Sequence, residues 1–485
     1  DIVNNNAVNT ALADTNAATS LNLFCDGAAF QCNNPATIAG LVGYQDRNAK
    51  FSMLDFAARA DGPLFSVPAG TVRAAVGVQS HQDKLPYFVI NNTTTPTTAT
   101  TRSVDNRASN PEREVQGVFA ELNVPLVSAA MQVPLVRRLD MALAGRVEHY
   151  SDFGSAKTPK VGLSWVPHDA LEVRSTYSRA FRAPTMGDID PVQGVVNVVD
   201  RVDAGGTTSL RGLLYLGGNP MGLKPETATI KTLGLTFKPS ALRGLTASLD
   251  WFDIDYRNRI LTPGNDVTVL QRPELAAYVN RAPTQAQLDA AKANPVYSGS
   301  QTESLNTIKF IVDGRRQNAG AVRQTGMDLA LRYVTPSPIG QLIGGFTATY
   351  LSKYEQQFTP TTPMVGGLLN TLNNPLRLRG RLELGWAMDP LASVSLYANH
   401  ANAYTNTTLA ARPQVAALTT LDLNARLSLN SWLPKEHVKD AALTLAVVNL
   451  SDKQPPYVQN GNLAFDPQTA SAIGRMVSVG INGRW

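Results

Sequence analysis

Hydrophobic and polar residues alternate with a period of two over many segments of this chain, a pattern that predicts β-strands with two different faces. In residues 376–388 the apolar face begins at Leu376, and residues 421–430 and 477–485 repeat the alternation. The polar face of the first segment carries Arg377, Arg379, Arg381 and Glu383. Because formal charges occupy one face only, that face must be hydrated while the other is covered by an apolar environment.

About 15 segments show this pattern, each of roughly the ~9–11 residues that a tilted strand needs to cross a bilayer. They lie near residues 50–60, 71–82, 113–123, 140–150, 158–166, 170–182, 228–238, 245–256, 320–333, 344–357, 376–387, 392–402, 419–430, 442–450 and 475–485.

The connections between these segments fall into two length classes. Short connections rich in Pro, Gly, Asp and Ser lie at 61–70, 167–169, 239–244, 334–343 and 388–391. Long connections lie at 83–112, 183–227, 257–319, 358–375, 403–418 and 451–474. A soluble sandwich has no reason to place short turns at one end and long loops at the other, whereas outer-membrane barrels do. The sequence therefore predicts an all-β fold, a transmembrane antiparallel β-barrel with long extracellular loops.

Composition narrows the class further. Of the 485 residues, 43% are hydrophobic and 17% charged, and the net charge is +5. No run of ~18 apolar residues predicts a transmembrane helix, and no cluster of Lys and Arg indicates a nucleic-acid partner. Apolar and aromatic residues recur throughout, which excludes a disordered chain. Because the chain starts at Asp1 without a leader segment, we expect a processed chain or a piece of a longer one.

One long connection contains a predicted helix. Thr284 and Gln287 have the spacing of a capping box, and Leu288 and Ala291 supply a short apolar face.

The two cysteines, Cys25 and Cys32, lie close together in sequence. A local disulfide that staples a surface loop fits an oxidising compartment. The alternative, a zinc site, needs further ligands, and no histidine lies nearby. We therefore predict the disulfide.

The sequence predicts no enzyme, no metal site and no cofactor. The histidines are not at metal-ligand spacings, and no GxSxG motif is present. These residues are His81, His149, His168, His400 and His437. His149 and His400 lie near strand ends, so a lipase-like site formed inside the sheet stays an open alternative.

Several motifs, taken in order, resemble the TonB-dependent outer-membrane receptors. YSRAFRAPTMGDI at 177–189 contains a Phe-Arg-Ala-Pro element, and GGNPMGLKPETATIKTLGLTF at 217–237 contains a Leu-Lys-Pro-Glu element. Further similar segments are FAELNVPL at 119–126, DFGSAKTPKVGLSW at 152–165, WFDIDYRNRI at 251–260, RQTGMDLALRY at 323–333, VVNLSDKQPPYV at 447–458 and GRMVSVGINGRW at 474–485. The resemblance extends over nearly the whole chain.

The resemblance implies a barrel of about 22 strands filled by an N-terminal plug domain. No plug and no energy-coupling box are visible in this sequence, and about seven strands of that barrel are missing. We therefore expect the C-terminal part of a receptor, with residues 1–48 as an extracellular loop segment and residues 49–485 as barrel. The strands at the two edges of such a partial sheet would be open.

The resemblance also implies roles for individual residues. The charged residues of the polar strand faces would line the barrel lumen, where they pair with each other or with the plug. Alternatively, Arg377, Arg379 and Arg381 attract an anionic ligand. These candidate lumen charges are Arg377, Arg379, Arg381, Glu383, Arg426 and Arg484.

Aromatic residues have two interpretations each. Tyr87, Phe88, Tyr354 and Phe358, near the outer strand ends, either stack on a ligand or belong to the interfacial aromatic girdle. The C-terminal Trp485 is implied to be the signal that the barrel assembly machinery recognises, and it would also anchor the last strand at the interface.

The function that the resemblance implies is import of a scarce solute across the Gram-negative outer membrane. The solute would be siderophore-bound iron, a vitamin or a carbohydrate, and the energy would come from a TonB-type protein acting through the missing N-terminal part. Outer-membrane lipid, the assembly machinery and a small-molecule ligand are the other expected partners. The alternatives are a passive porin-like channel and an outer-membrane enzyme.

Overall fold

The computed structural model contains one large antiparallel sheet of 15 strands, in which every strand pairs with its neighbours in sequence. It describes residues 2–3, 5–24, 32–92, 107–189, 195–203, 205–206, 208–217, 222–294, 297, 304–388, 390–407, 409, 411–433, 441–459 and 464–483. We number the strands of this sheet β1–β15. They are β1 Ser52–Val67, β2 Gly70–Lys84, β3 Glu112–Val127, β4 Arg138–Tyr150, β5 Gly154–His168, β6 Leu171–Arg182, β7 Glu226–Phe237, β8 Leu245–Leu261, β9 Gln317–Ser337, β10 Gly340–Gln357, β11 Leu378–Met388, β12 Ala392–Ala401, β13 Leu418–Ser428, β14 Ala442–Val448 and β15 Met476–Asn482. The predicted all-β fold and its strand segments are confirmed.

The two ends of the sheet differ in the length of their connections. At one end, the short-turn end, strands are joined by connections such as 169–170 and 338–339. At the other, the long-loop end, connections such as 183–225 and 262–316 are much longer. The three-residue turn at 151–153 is an exception at the long-loop end.

Several strands are longer than the sequence pattern predicts. β9 has 21 residues and β10 has 18, so most of the predicted turn at 334–343 is strand. Ladder hydrogen bonds can continue beyond the bilayer, so a strand need not end where its apolar pattern ends. The start of β11 also differs, because Leu376 packs against Leu372 and Tyr404 in a loop core instead of lying on the apolar strand face.

The two faces of the large sheet are chemically distinct, as the alternation predicts. The outer face exposes large apolar side chains on most of the strands, including Leu233, Leu235, Leu382 and Leu384. The opposite, inner face carries most of the cross-strand ion pairs. Within the described residues, no helix is both long enough and apolar enough to cross a membrane.

Two ion pairs on the inner face join strands that are not adjacent. Arg174 of β6 reaches Asp250 of β8 at 3.3 Å, and the residue between them in register on β7 is Gly234. A Cβ atom at Gly234 would lie 2.2 Å from Asp250 Oδ1. The missing side chain therefore leaves the space in which the two charges meet.

The same arrangement recurs at the next strands. Arg332 of β9 and Glu383 of β11 lie 3.3 Å apart across Gly345 of β10, where a Cβ atom would lie 2.9 Å from Glu383 Oε2. A hydrogen bond from Arg146 to Gln79 likewise crosses Gly117.

The two longest connections, predicted as loops, fold into a separate lobe. Its sheet contains Val195–Val202, Ser209–Leu216, Ile308–Gly314 and Val279–Asn280, and Ser209–Leu216 pairs in parallel with Ile308–Gly314. The paired strands come from connections far apart in sequence, so a local alternation of polar and apolar residues does not predict their pairing.

The lobe has the best-buried core of the described residues. Leu213, Leu288 and Val196 are fully buried in one cluster, and Phe310 and Leu270 in a second. The predicted helix is present as Gln285–Lys292, and Thr284 and Gln287 form the predicted capping box.

The remaining elements are short. They are the helices Asn5–Ala13, Pro35–Gly40 and Met186–Ile189, the 3₁₀ turns Ala129–Met131, Pro263–Asn265 and Pro273–Tyr278, and the small strands Ile2–Val3, Val42–Ala49, Tyr87–Asn92, Arg107–Ser109, Tyr404–Thr405 and Gln414–Val415.

Strands β1 and β15 form the edges of the large sheet, and each pairs on one side only within the described residues. Both edges are strongly apolar and exposed, with Phe56 at 71% and Ile481 at 75% exposure. Such edges favour pairing with further strands.

Truncating the lobe core should loosen the lobe without changing the large sheet. Leu288→Ala removes a fully buried side chain, and we expect a loss of about 2–5 kcal/mol in lobe stability. Hydrogen exchange across residues 209–216 and 308–314 would measure it. Val267→Ala, at an exposed position of the same connection, is the control. Unchanged exchange in Leu288→Ala would contradict the assignment of this core.

Filling one glycine gap should weaken the inner face. Gly345→Val places a side chain against Glu383, and we expect a stability loss of about 1–3 kcal/mol from overpacking. Gly344→Val is the matched control, because a Cβ atom at Gly344 has no atom within 4 Å. Thermal unfolding compares the two variants, and equal midpoints would show that the gap at Gly345 is not required.

Candidate functional site

The predicted lumen charges of β11 lie on the inner face. Arg379, Arg381 and Glu383 alternate along the strand with Gly380 and Leu382. This places the charged side chains in one column that faces away from the apolar surface.

Arg377 and Arg426 occupy different surroundings. Arg377 precedes β11, and its guanidinium donates to the Tyr350 hydroxyl at 3.4 Å. Arg426 lies near the short-turn end, where it donates to the backbone oxygen of Pro390 at 3.3 Å. The predicted ladder of three arginines is therefore a pair, Arg379 and Arg381, with Arg377 outside the strand.

Glu383 is neutralised by its neighbours. Beside its ion pair with Arg332, it accepts a hydrogen bond from the Tyr397 hydroxyl at 3.3 Å. The charge of Glu383 is therefore compensated within the inner face.

Arg379 and Arg381 have no carboxylate within ion-pair distance among the described residues. Arg379 donates to the backbone oxygen of Gln468 at 3.2 Å, and Arg381 lies 4.0 Å from the centre of the Tyr397 ring. Both line a cleft of about 520 Å³ whose wall also contains Asp250 and Asp328.

The two carboxylates of this cleft already have partners. Asp250 pairs with Arg174, and Asp328 accepts a hydrogen bond from Thr349 at 2.6 Å. Without an ion pair among the described residues, the cleft therefore has two arginines and one carboxylate, Asp328, so its uncompensated charge is net positive. Guanidinium groups of this kind bind anionic oxygens such as those of carboxylates well.

The motifs that carry the family resemblance converge on one buried carboxylate at the long-loop end. Glu226, from the Leu-Lys-Pro-Glu element, is 2% exposed. It accepts hydrogen bonds from Arg182, from the Tyr256 hydroxyl and from the backbone N–H of Ile260. Arg182 is the last residue of β6 and Ile260 lies near the end of β8. Glu226 therefore links the points at which the two lobe-forming connections begin.

A second buried contact lies beside it. Arg113 of β3 is 5% exposed, pairs with Asp152 and donates to the backbone oxygen of Pro184 at 2.8 Å. Pro184 belongs to the Phe-Arg-Ala-Pro element. Although the motifs were visible in the sequence, their partnership was not, because the partners lie on strands far apart in the chain.

A smaller cleft separates the lobe from the ends of β8 and β10. Arg272 pairs there with Asp266 and Glu274 and lies 4.6 Å from the centre of the Phe358 ring. Burial alone would raise the pKa of the Asp266 carboxyl, but hydrogen bonds from Thr268 and Arg272 outweigh it and hold that pKa below its usual value. These charges are compensated internally.

The structure shows the surroundings of two of the four predicted aromatic residues, Tyr354 and Phe358. Phe358 packs against the lobe core, so it does not face lipid, and it also lines the smaller cleft beside Arg272. Tyr354 lies opposite Gln324 on the inner face and its hydroxyl accepts a hydrogen bond from Gln356. The side chains of Tyr87 and Phe88 are outside the described part of the chain.

Two further predictions fall partly or wholly outside the described residues. Cys32 is disulfide-bonded, whereas Cys25 is outside the described ranges, so their pairing stays a prediction. Trp485 and Arg484 are also outside them.

The described residues contain no group of three or more His, Cys, Asp and Glu side chains that could hold a metal ion. The histidine contacts within this part of the chain are local. His81 lies 3.7 Å from Asp83, His149 contacts Ser155, and His400 contacts Thr419. His437 lies beyond the described residues.

Comparison with known proteins identifies the family. Residues 4–450 match the family model described as TonB dependent receptor-like, beta-barrel. The ferric enterobactin receptor of Pseudomonas aeruginosa is 29% identical over 155 residues, which cover 32% of this chain and 18% of that protein. The iron-regulated outer membrane virulence protein of Vibrio cholerae is 32% identical over 126 residues, covering 26% of this chain and 17% of that protein.

Solved structures share the fold. A mutant of the ferric enterobactin receptor from Pseudomonas aeruginosa has a TM-score of 0.57 at 18% identity, with 89% of this chain and 54% of that chain covered. The siderophore receptor PirA from Acinetobacter baumannii has a TM-score of 0.57 at 17% identity, with 89% and 55% covered. The chain thus spans about half the length of these receptors.

The family model covers most of the chain, and the topology and two-faced strands agree with it. The chain therefore belongs to the TonB-dependent receptor β-barrel family, whose members are receptors of the Gram-negative outer membrane and not enzymes.

Proposed function

We propose that the receptor containing this chain imports an anionic iron chelate across the outer membrane with energy from a TonB-type protein. The observation that carries the proposal is the pair Arg379 and Arg381, which face the interior without a carboxylate partner among the described residues. Relatives named as a ferric enterobactin receptor and an iron-regulated outer membrane protein support iron as the cargo.

The charge distribution of the inner face supports an anionic ligand. Arg174 and Arg332 are neutralised across glycine gaps, and Arg146 pairs with Glu148. Arg379 and Arg381 are left as positive charges on a concave wall, where a low-dielectric surround strengthens their field. Tyr397 holds the Arg381 guanidinium over its ring, which fixes the orientation of one of the two groups.

The remaining parts of the receptor are proposals as well. Residues 49–485 would form barrel wall and residues 1–48 an outer segment stapled by Cys25 and Cys32. The TonB-type protein would act through an N-terminal plug, and further strands would pair with the exposed edges β1 and β15.

A passive porin-like channel is the alternative function. A channel would give flux that rises in proportion to solute concentration, whereas a receptor saturates. The cleft of about 520 Å³ at Arg379 and Arg381, with its net positive charge, favours the receptor.

Removing both cleft arginines should weaken binding of a ferric chelate. For Arg379→Gln/Arg381→Gln in the full-length receptor, we expect an affinity for ferric enterobactin lower by about tenfold or more, because hydrogen bonds to charged groups contribute about 1.5–3 kcal/mol. Quenching of intrinsic tryptophan fluorescence measures the affinity. Arg426→Gln removes an inner-face charge near the short-turn end and is the control. Unchanged affinity in the double variant would contradict the proposal that Arg379 and Arg381 bind the chelate.

The C-terminal Trp485 should act in assembly and not in binding. Trp485→Ala is expected to lower the amount of receptor in the outer membrane several-fold and to leave chelate affinity unchanged. Trp432→Ala, at an exposed tryptophan in a short-turn-end connection, is the control. Equal yields of the two variants in membrane fractions would argue against an assembly signal.

A further inference from the structure

The outer face of the sheet changes character abruptly near the long-loop end. Leu233, Trp251, Met327 and Tyr350 lie in register across β7–β10 and form an apolar row. Because neighbouring residues on one face are two positions apart, the next row toward the long-loop end contains Lys231, Asp253, Thr325 and Lys353. Charged groups begin immediately above the apolar surface.

The following row continues the charged surface. It contains Arg179, Asp255, Arg323 and Glu355, in register across β6–β10 with Thr229 on β7. Because these side chains share the face of Trp251, they point away from the barrel interior. Lipid head groups are therefore their surroundings in an outer-membrane protein.

Several of these charges neutralise each other. Arg323 pairs with Asp253 at 3.0 Å, and Lys353 pairs with Glu355 at 3.0 Å. Arg257, one row further along β8, pairs with Asp255 at 2.8 Å. Each carboxylate of the surface is thus occupied by one cation.

Arg179 and Lys231 are the exceptions. Neither lies within ion-pair distance of a carboxylate among the described residues, and both side chains are exposed. Arg179 is in register with Thr229, two residues from Lys231 on the adjacent strand, so the two cations are diagonal neighbours. Tyr177 lies beside Lys231 in register, and Leu233 lies next along the same face.

We propose that Arg179 and Lys231 bind the phosphorylated head group of an outer-leaflet glycolipid, whose acyl chains contact the apolar row below. A phosphate monoester accepts hydrogen bonds from a guanidinium and an ammonium at once, and Tyr177 supplies a third donor. The positive pair lies directly next to the apolar row, which matches a lipid whose phosphorylated sugar lies immediately above its acyl chains. A soluble anion would not need the apolar row.

The test uses the full-length receptor in detergent and purified lipid A as the probe. We expect Arg179→Gln/Lys231→Gln to bind lipid A about thirtyfold more weakly in native mass spectrometry, because each Lys or Arg near a charged membrane surface contributes about a factor of five. Lipid A without its phosphates should bind the unchanged receptor as weakly as the variant binds the intact lipid.

The control removes two positive charges elsewhere, on β5 and at the end of β7. Lys160→Gln/Lys238→Gln alters one inner-face cation of β5 and one at the short-turn end of β7, and it should bind lipid A normally. Heat-modifiable electrophoretic mobility checks that each variant is folded. Equal lipid A affinity in Arg179→Gln/Lys231→Gln would overturn the proposal, as would tight binding of the dephosphorylated lipid. A receptor dimer lost in that variant would instead assign the surface to a second copy and also overturn it.

Discussion

Backbone amide and carbonyl groups cannot stay unpaired in hydrocarbon, because each unpaired group costs several kcal/mol there. The hydrogen-bond ladder of β1–β15 pairs these groups between neighbouring strands. Successive side chains then point to opposite faces of the sheet, which determines the residues that each face can carry. One face must be apolar, so every ionisable group of a membrane-level strand is confined to the other. The lobe can hold irregular turns and a parallel strand pair because it lies beyond the ends of the long strands.

Because the charged side chains are confined to one face, they compete for space there, and glycines on the intervening strands provide that space. Gly234 and Gly345 leave open positions through which arginine and carboxylate groups on next-nearest strands meet. Glu226 performs the corresponding role at the strand ends, where it joins Arg182, Tyr256 and the backbone of Ile260. The motifs that carry the family resemblance thus supply contacts that hold neighbouring strands together. Ligand selectivity belongs to residues outside them, such as Arg379 and Arg381.

The strand segments and the class of fold were predictable from the sequence, because a period of two records directly which face meets lipid. The helix at Gln285–Lys292 was predictable for a similar reason, since its capping box is local. The lobe sheet was not, because Ser209–Leu216 pairs with Ile308–Gly314 across a long separation. The position of Arg377 was also missed, because Leu376 alternates as a strand residue should but packs in a loop core.

Energy-dependent uptake would distinguish an energised receptor from a passive channel. The cells would express the full-length receptor that contains this chain as their only receptor for ferric enterobactin. They would be given the radiolabelled chelate with and without an uncoupler of the proton gradient. For an energised receptor, we expect saturable uptake that stops when the gradient is removed, while surface binding persists. Uptake that continues without the gradient and rises in proportion to concentration would contradict energised import and identify a passive channel.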